Sequence, residues 1–185
     1  MSEPARSTYV LVDGENIDAT LGNMLGRRPR PEERPRWERL LQFARERWGL
    51  PANGLFFLAA NNELPMTFVQ ALVAIGYRPI PLSGAAGEKV VDIAIQRTLA
   101  ELSRREGDVL LVSNDGDFVE QVERLLDGRR VGVVGFVEFR NSAFAQLAER
   151  GLASFDLEHD VQAFNEQLPR VRVIPIDEFD PAQFL

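Results

Sequence analysis

Apolar residues fall into two alternating rhythms along this chain. Short unbroken runs of β-prone residues occur at Tyr9–Val12, Leu55–Ala60, Val109–Val112, Val131–Val137 and Ala153–Asp156. Between them, apolar positions recur every three or four residues, as on one face of a helix. Trp37–Trp48 is apolar at 37, 40, 41, 43, 44 and 48, and Glu88–Arg104 at 90, 91, 93, 94, 95, 99 and 102. Pro65 opens a further helix through Ile75, closed by Gly76. Val119–Leu126 and Ser142–Glu149 read as helices too. Arg78–Leu82 is extended but holds two prolines, which places it at or near a sheet edge. Strand runs that are continuous rather than alternating belong to a parallel sheet covered on both faces, so the pattern predicts a three-layer α/β domain with a mainly parallel central sheet. The predicted division is an N-terminal tail at 1–7, the domain at 8–156 and an extension at 157–185. A loop is expected over the Pro- and Arg-rich residues 22–36. In the extension a short helix is expected around Val161–Leu168, then a strand-like run at Val171–Ile176.

Composition narrows the chemistry. With no Cys and one His (His159) among 185 residues, disulfide scaffolds, thiolate zinc sites, iron–sulfur clusters and thiol nucleophiles are excluded, and a Ser–His–Asp triad has almost no room. Carboxylates, hydroxyls and arginines remain. The apolar runs are far shorter than the ~20 residues of a spanning helix, and Met1–Ser7 carries no apolar signal core. The expectation is a cytoplasmic protein without a membrane partner; a homo-oligomer is left open. The net charge of −7 is uneven. Asp156, Glu158, Asp160, Glu166, Asp177, Glu178 and Asp180 face only Arg170 and Arg172 after residue 155, so the tail is acidic and the domain nearly neutral. The overall charge therefore does not exclude a nucleic-acid partner.

Ligands of parallel α/β sheets sit outside the carboxyl ends of the strands, and acids collect there. The first strand exits into Val12-Asp13-Gly14-Glu15-Asn16, and the strand at 109–112 into Ser113-Asn114-Asp115-Gly116-Asp117-Phe118. Asp92 lies near the start of the Glu88–Arg104 helix between apolar neighbours, with Lys89 three residues before it. Taken singly, each acid has an ordinary explanation: a helix cap at Asp115 or Asp117, a strand-to-helix turn at Asp13-Gly14, dipole complementation at Asp92. Together on one rim they raise one another's pKa unless a cation intervenes. An oxygen-only ligand set without His or Cys favours Mg²⁺ or Mn²⁺.

These three segments, in this order and spacing, resemble the motif series of the NYN domain, a PIN-like nuclease family with LabA-like members. The likeness spans residues 8–156 and includes the closing Leu147-Ala-Glu-Arg-Gly-Leu-Ala-Ser-Phe-Asp156. It implies a Rossmann-like fold and a metal-dependent ribonuclease site. On that resemblance Asp13, Asp92, Asp115 and Asp117 match the acidic ligands and Asn16 the adjacent polar residue. Val90 and Asn114 stand where the family often has Gly, departures that would change how closely a substrate backbone approaches. A haloacid-dehalogenase-type phosphatase fits worse because position 15 is Glu, a Toprim domain would have Glu at the first exit, and no Walker loop is present.

The reaction expected is hydrolysis of an RNA phosphodiester, single-stranded or structured, by a metal-activated water. Substrate contacts are expected from Asn16, Lys89 and Ser113, and from Arg27, Arg28 and Arg30 if their loop leans over the rim. Solvated arginines explain that loop equally well. The acidic tail is conjectured to cover it. A non-catalytic RNA-binding module and a Mg²⁺-dependent phosphatase or nucleotide hydrolase are the alternatives.

Overall fold

The computed structural model describes residues 6–61, 63–171 and 173–185. Strands β1 (Thr8–Asp13), β2 (Ala52–Ala59), β3 (Tyr77–Leu82), β4 (Asp108–Val112), β5 (Val131–Gly135) and β6 (Ala153–Asp156) form one sheet in the order β3-β2-β1-β4-β5-β6. Every pairing is parallel. Helices α1 (Gly14–Leu25), α2 (Trp37–Trp48) and α3 (Met66–Ala74) cover one face, and α4 (Val90–Leu102), α5 (Val119–Leu125) and α6 (Ala143–Gln146) the other. The fold is a Rossmann-like α/β domain. β4 shows why its hydrophobic run is unbroken: Leu110 and Val112 enter one core, Val109 and Leu111 the other.

The Pro-bearing strand is the β3 edge. Leu82 O accepts from Ala60 N on the β2 side. Strand alternation then turns Pro79 and Pro81, which lack an N–H, toward the open edge and blunts it against further pairing.

Asp13-Gly14 is the strand-to-helix junction, with Asp13 as the N-cap of α1 and Gly14 already its first residue. Glycine is needed there because a Cβ would come within 2.6 Å of the Phe56 ring. The segment 22–36 is not all loop as expected, since α1 continues to Leu25 and ends on Gly26 at φ 69, and Pro31–Glu33 forms a 3₁₀ turn.

The extension also differs from expectation. Residues 161–168 are irregular: Gln162 sits at φ 57, the N–H groups of Val161 and Ala163 bond back to Asp156 O and Leu157 O, and Leu168 N donates to the Glu158 carboxylate. Leu157, Val161, Ala163 and Leu168 are nonetheless buried in the core on the α1–α3 face, with the Phe164 ring 5.9 Å from Phe136. This segment occupies the place that a helix would otherwise fill over β5 and β6. Arg170 fastens its end, its guanidinium buried against Asp156 (2.7 Å), Glu138 and Glu158. Beyond it no strand forms among the described residues: Val171 and Val173 are 91% and 92% exposed. The extension meets the basic stretch through the Arg36 backbone N–H, which donates to Ala163 O, and the Arg39 guanidinium, which donates to Gln162 O and Asn165 Oδ1; none of these bonds is to its acids.

Candidate metal centre

Crossovers from β1 move outward through β2 to β3, and α4 then brings the chain back to β4. The order of the sheet therefore reverses between β1 and β4, the position where open α/β sheets bind ligands. Asp13 leaves one side of this crevice and Asp115 the other, while α4 delivers Asp92 over the rim in its first turn. One carboxylate oxygen each from Asp92, Asp115 and Asp117 lies within 4.8 Å of the other two. The adjoining cavity, about 390 Å³, is lined by Asp13, Asn16, Gly87, Lys89, Asp92 and Asp115 among others.

Asp13 stands outside that group of three and is only 2% exposed. Its Oδ1 accepts from Asn16 N (3.3 Å) and its Oδ2 from Ser113 Oγ (2.9 Å). Among the described residues no basic side chain pairs with it, and burial pushes its pKa up to about 6, against the pull of the Ser113 and Asn16 hydrogen bonds. Burial also raises Asp92, with the Asp115 charge adding to it and Lys89 opposing. Hard oxygen donors gathered in one place, two of which (Asp13 and Asp92) are held back from ionising chiefly by burial, fit a divalent cation.

Ser113 is a bracket rather than a substrate contact. It is wholly buried, donates to Asp13 and accepts from Asp115 N at 3.1 Å, so one hydroxyl sets the spacing of two strand exits. Asn16 joins the same frame, its Oδ1 accepting from Asn114 N at 2.8 Å, and still lines the cavity. Asn114 turns inward: Oδ1 accepts from Phe136 N and Nδ2 donates to Thr20 Oγ1. Its departure from Gly therefore does not obstruct the cavity. Asp115 caps the 3₁₀ turn Gly116–Phe118 through Asp117 N (2.9 Å). Capping and site-building are thus done by the same carboxylate. Lys89 is exposed at the mouth.

Arg27, Arg28 and Arg30 are not brought to this place. α1 carries the chain about 18 Å back along the sheet from Asp13 before Arg27 is reached. Arg27 is held by Glu33, and Arg27 and Arg28 line a separate concavity beside Asp18 and Gly22. Two rim residues escaped the sequence reading. Gln96 Nε2 donates to Asp117 O at 3.1 Å, a contact foreshadowed only by its position one helical turn after Asp92. Asn141 packs so closely on Gly116 that a Cβ there would collide with its amide, and no spacing rule points to it.

The parallel sheet with its reversed strand order is Rossmann-like, and the acid cluster at the switch point is consistent with a PIN-like domain. The NYN domain model matches residues 7–153, and the chain belongs to that family, which is of the PIN-like nuclease type. A crystal structure of a protein of unknown function, VPA0982 from Vibrio parahaemolyticus RIMD 2210633, shares the fold with a TM-score of 0.65. It is 19% identical, over 86% of this chain and 98% of that one. No curated protein matches the sequence at a significant level. Among the described residues, no helix is long and apolar enough to cross a membrane.

Proposed function

We propose that the chain is a Mg²⁺- or Mn²⁺-dependent ribonuclease. The observation that carries this reading is the convergence of Asp92, Asp115 and Asp117 within 4.8 Å at the switch point, beside a buried Asp13 that has no cationic partner among the described residues. Asp92, Asp115 and Asp117 would hold the ion, with Asp13 completing the shell or fixing a water. The ion supplies Lewis acidity, lowering the pKa of a coordinated water and offsetting negative charge on the scissile phosphate. Ser113 and the Asn16 backbone hold the Asp13 carboxylate in one orientation, so little reorganisation is needed when substrate arrives. Lys89 at the cavity mouth offers a point charge to a phosphate oxygen.

The test is cleavage of end-labelled single-stranded RNA and DNA with Mg²⁺ or Mn²⁺, beside EDTA and Asp115→Asn controls. Metal-dependent cutting of RNA that Asp115→Asn abolishes is the expected result. Cutting that survives both controls, or hydrolysis confined to mononucleotides, would overturn it. RNA binding without any cleavage would instead support a regulatory module of the same fold.

A further inference from the structure

A cavity lined with acids repels the strand it is to cut, so cations must hold that strand nearby. Three helices either line the cavity or follow the loops that carry its acids: α1, α4 and α5. α1 presents Glu15 and Asp18, the latter paired with Arg34. α5 presents Glu120 and Glu123, which neutralise Arg124 and Arg150. α4 differs. Lys89 at its N-cap and Arg97 on its second turn are exposed and enter no ion pair among the described residues. Arg104, just past the helix, is 81% exposed at the side chain and lies 4.0 Å from Glu101, whose closer partner is Arg105 at 3.0 Å.

At about 100° and 1.5 Å per residue, Lys89 and Arg97 lie within about 80° on one side of α4 and about 12 Å apart along it. Half-buried Ile93 sits between them, and exposed Arg104 follows just beyond the Ser103 C-cap. Gln96, beside Arg97, holds the Asp117 carbonyl, so this face abuts the acid cluster at its inner end. Two acids interrupt it: Glu101, shared by two arginines, and Glu88, which accepts from Ala85 N.

We propose that this face of α4, from Lys89 past Ile93 to Arg97 and on to Arg104 just past the helix, is the track on which a single-stranded polynucleotide lies as it enters or leaves the acidic cavity. The inference rests on the ribonuclease reading of that cavity and adds the direction of the strand. The cations meet successive phosphates, and Ile93 offers an apolar surface to a base or ribose. Binding along a cationic face releases counterions, which makes the affinity depend on salt.

The experiment measures fluorescence anisotropy of a labelled oligouridylate of about 16 nucleotides, the upper end of a single-strand site. The full chain carries Asp115→Asn to prevent cutting. Replacing Arg97 and Arg104 together by Ala should weaken binding about 25-fold at low salt, about fivefold for each cation removed. The slope of log K against log salt should become shallower by about 1.4, about 0.7 for each lost phosphate contact. The charge-matched control, Arg124→Ala with Arg150→Ala, should change neither quantity. Binding by the α4 variant that equals the parent's would overturn the track and leave the ribonuclease reading standing. Equal losses in the α4 variant and the control would overturn it also. A parent that binds no polynucleotide at any salt concentration would overturn both.

Discussion

Replacing Ser113 by Ala isolates the bracket between the two central strand exits. The substitution removes one oxygen from a wholly buried position and adds no bulk. Two bonds disappear, Ser113 Oγ to Asp13 Oδ2 at 2.9 Å and Asp115 N to Ser113 Oγ at 3.1 Å. The first serves a carboxylate, a class of bond worth about 1.5–3 kcal/mol, and the second leaves a backbone N–H with no replacement at about 1 kcal/mol. A loss of about 2.5–4 kcal/mol follows, or about 5–16 °C in Tm for a chain of this size. The Asp13 carboxyl loses one of the two hydrogen bonds that oppose its burial, so its pKa climbs further and its claim on a cation weakens. Groups that orient ligands typically cost 10–100-fold in metal affinity when removed, and a loss of about that size is expected for Mn²⁺. Urea unfolding read by linear extrapolation gives the first quantity and isothermal titration with Mn²⁺ the second. Stability within about 0.5 kcal/mol of the parent, the range of an ordinary surface change, together with unchanged Mn²⁺ affinity, would refute the role given to Ser113.

Other consequences follow from the same contacts. Asp13→Asn should abolish cleavage, yet in metal-free buffer at neutral pH it should unfold no earlier than the parent, because it removes a buried charge that has no cationic partner among the described residues; circular dichroism melts check this. Arg170→Met leaves Asp156, Glu138 and Glu158 without their shared cation and should cost about 3–5 kcal/mol in urea unfolding. Arg170 and nearby backbone N–H groups hold Asp156 down at about 2, below its unfolded value of about 3.9. Its contribution is therefore complete above about pH 4 and lost as pH falls toward 2; this acid limb of the stability curve should shrink in Arg170→Met. A chain ending at Asp156 should melt well below the parent because Leu157, Val161, Ala163 and Leu168 leave the core, whereas one ending at Val171 should melt with it.

Much of this architecture is legible in the sequence because parallel strands buried on both faces advertise themselves as unbroken apolar runs. Tyr9–Val12 and Val109–Val112 are such runs, and they become the paired centre of the sheet. The prolines at 79 and 81 marked an edge for the same local reason: each lacks a donor. The acids of the rim could be located because strand exits in a parallel sheet share one side. What the pattern could not supply was direction and depth. α1 carries Arg27 away from the rim, a consequence of helix length that a loop reading of residues 22–36 conceals. Ser113 and Asn114 look like rim polar groups until burial turns them inward as spacers. Residues 157–168 carry helix-spaced apolar positions at Leu157, Val161, Phe164 and Leu168, which is why a helix is expected there, yet they cover β5 and β6 in an irregular path held by Asp156, Asp160 and Arg170.

The central claim is that the carboxylates at the switch point form one cation site, and calorimetric titration with Mn²⁺ addresses it without reference to any substrate. The parent should bind with a heat signal that EDTA reverses, and the triple variant Asp92→Asn, Asp115→Asn, Asp117→Asn, folded by circular dichroism, should not bind. Mn²⁺ bound by that variant with the parent's affinity would place the cation elsewhere and contradict the account.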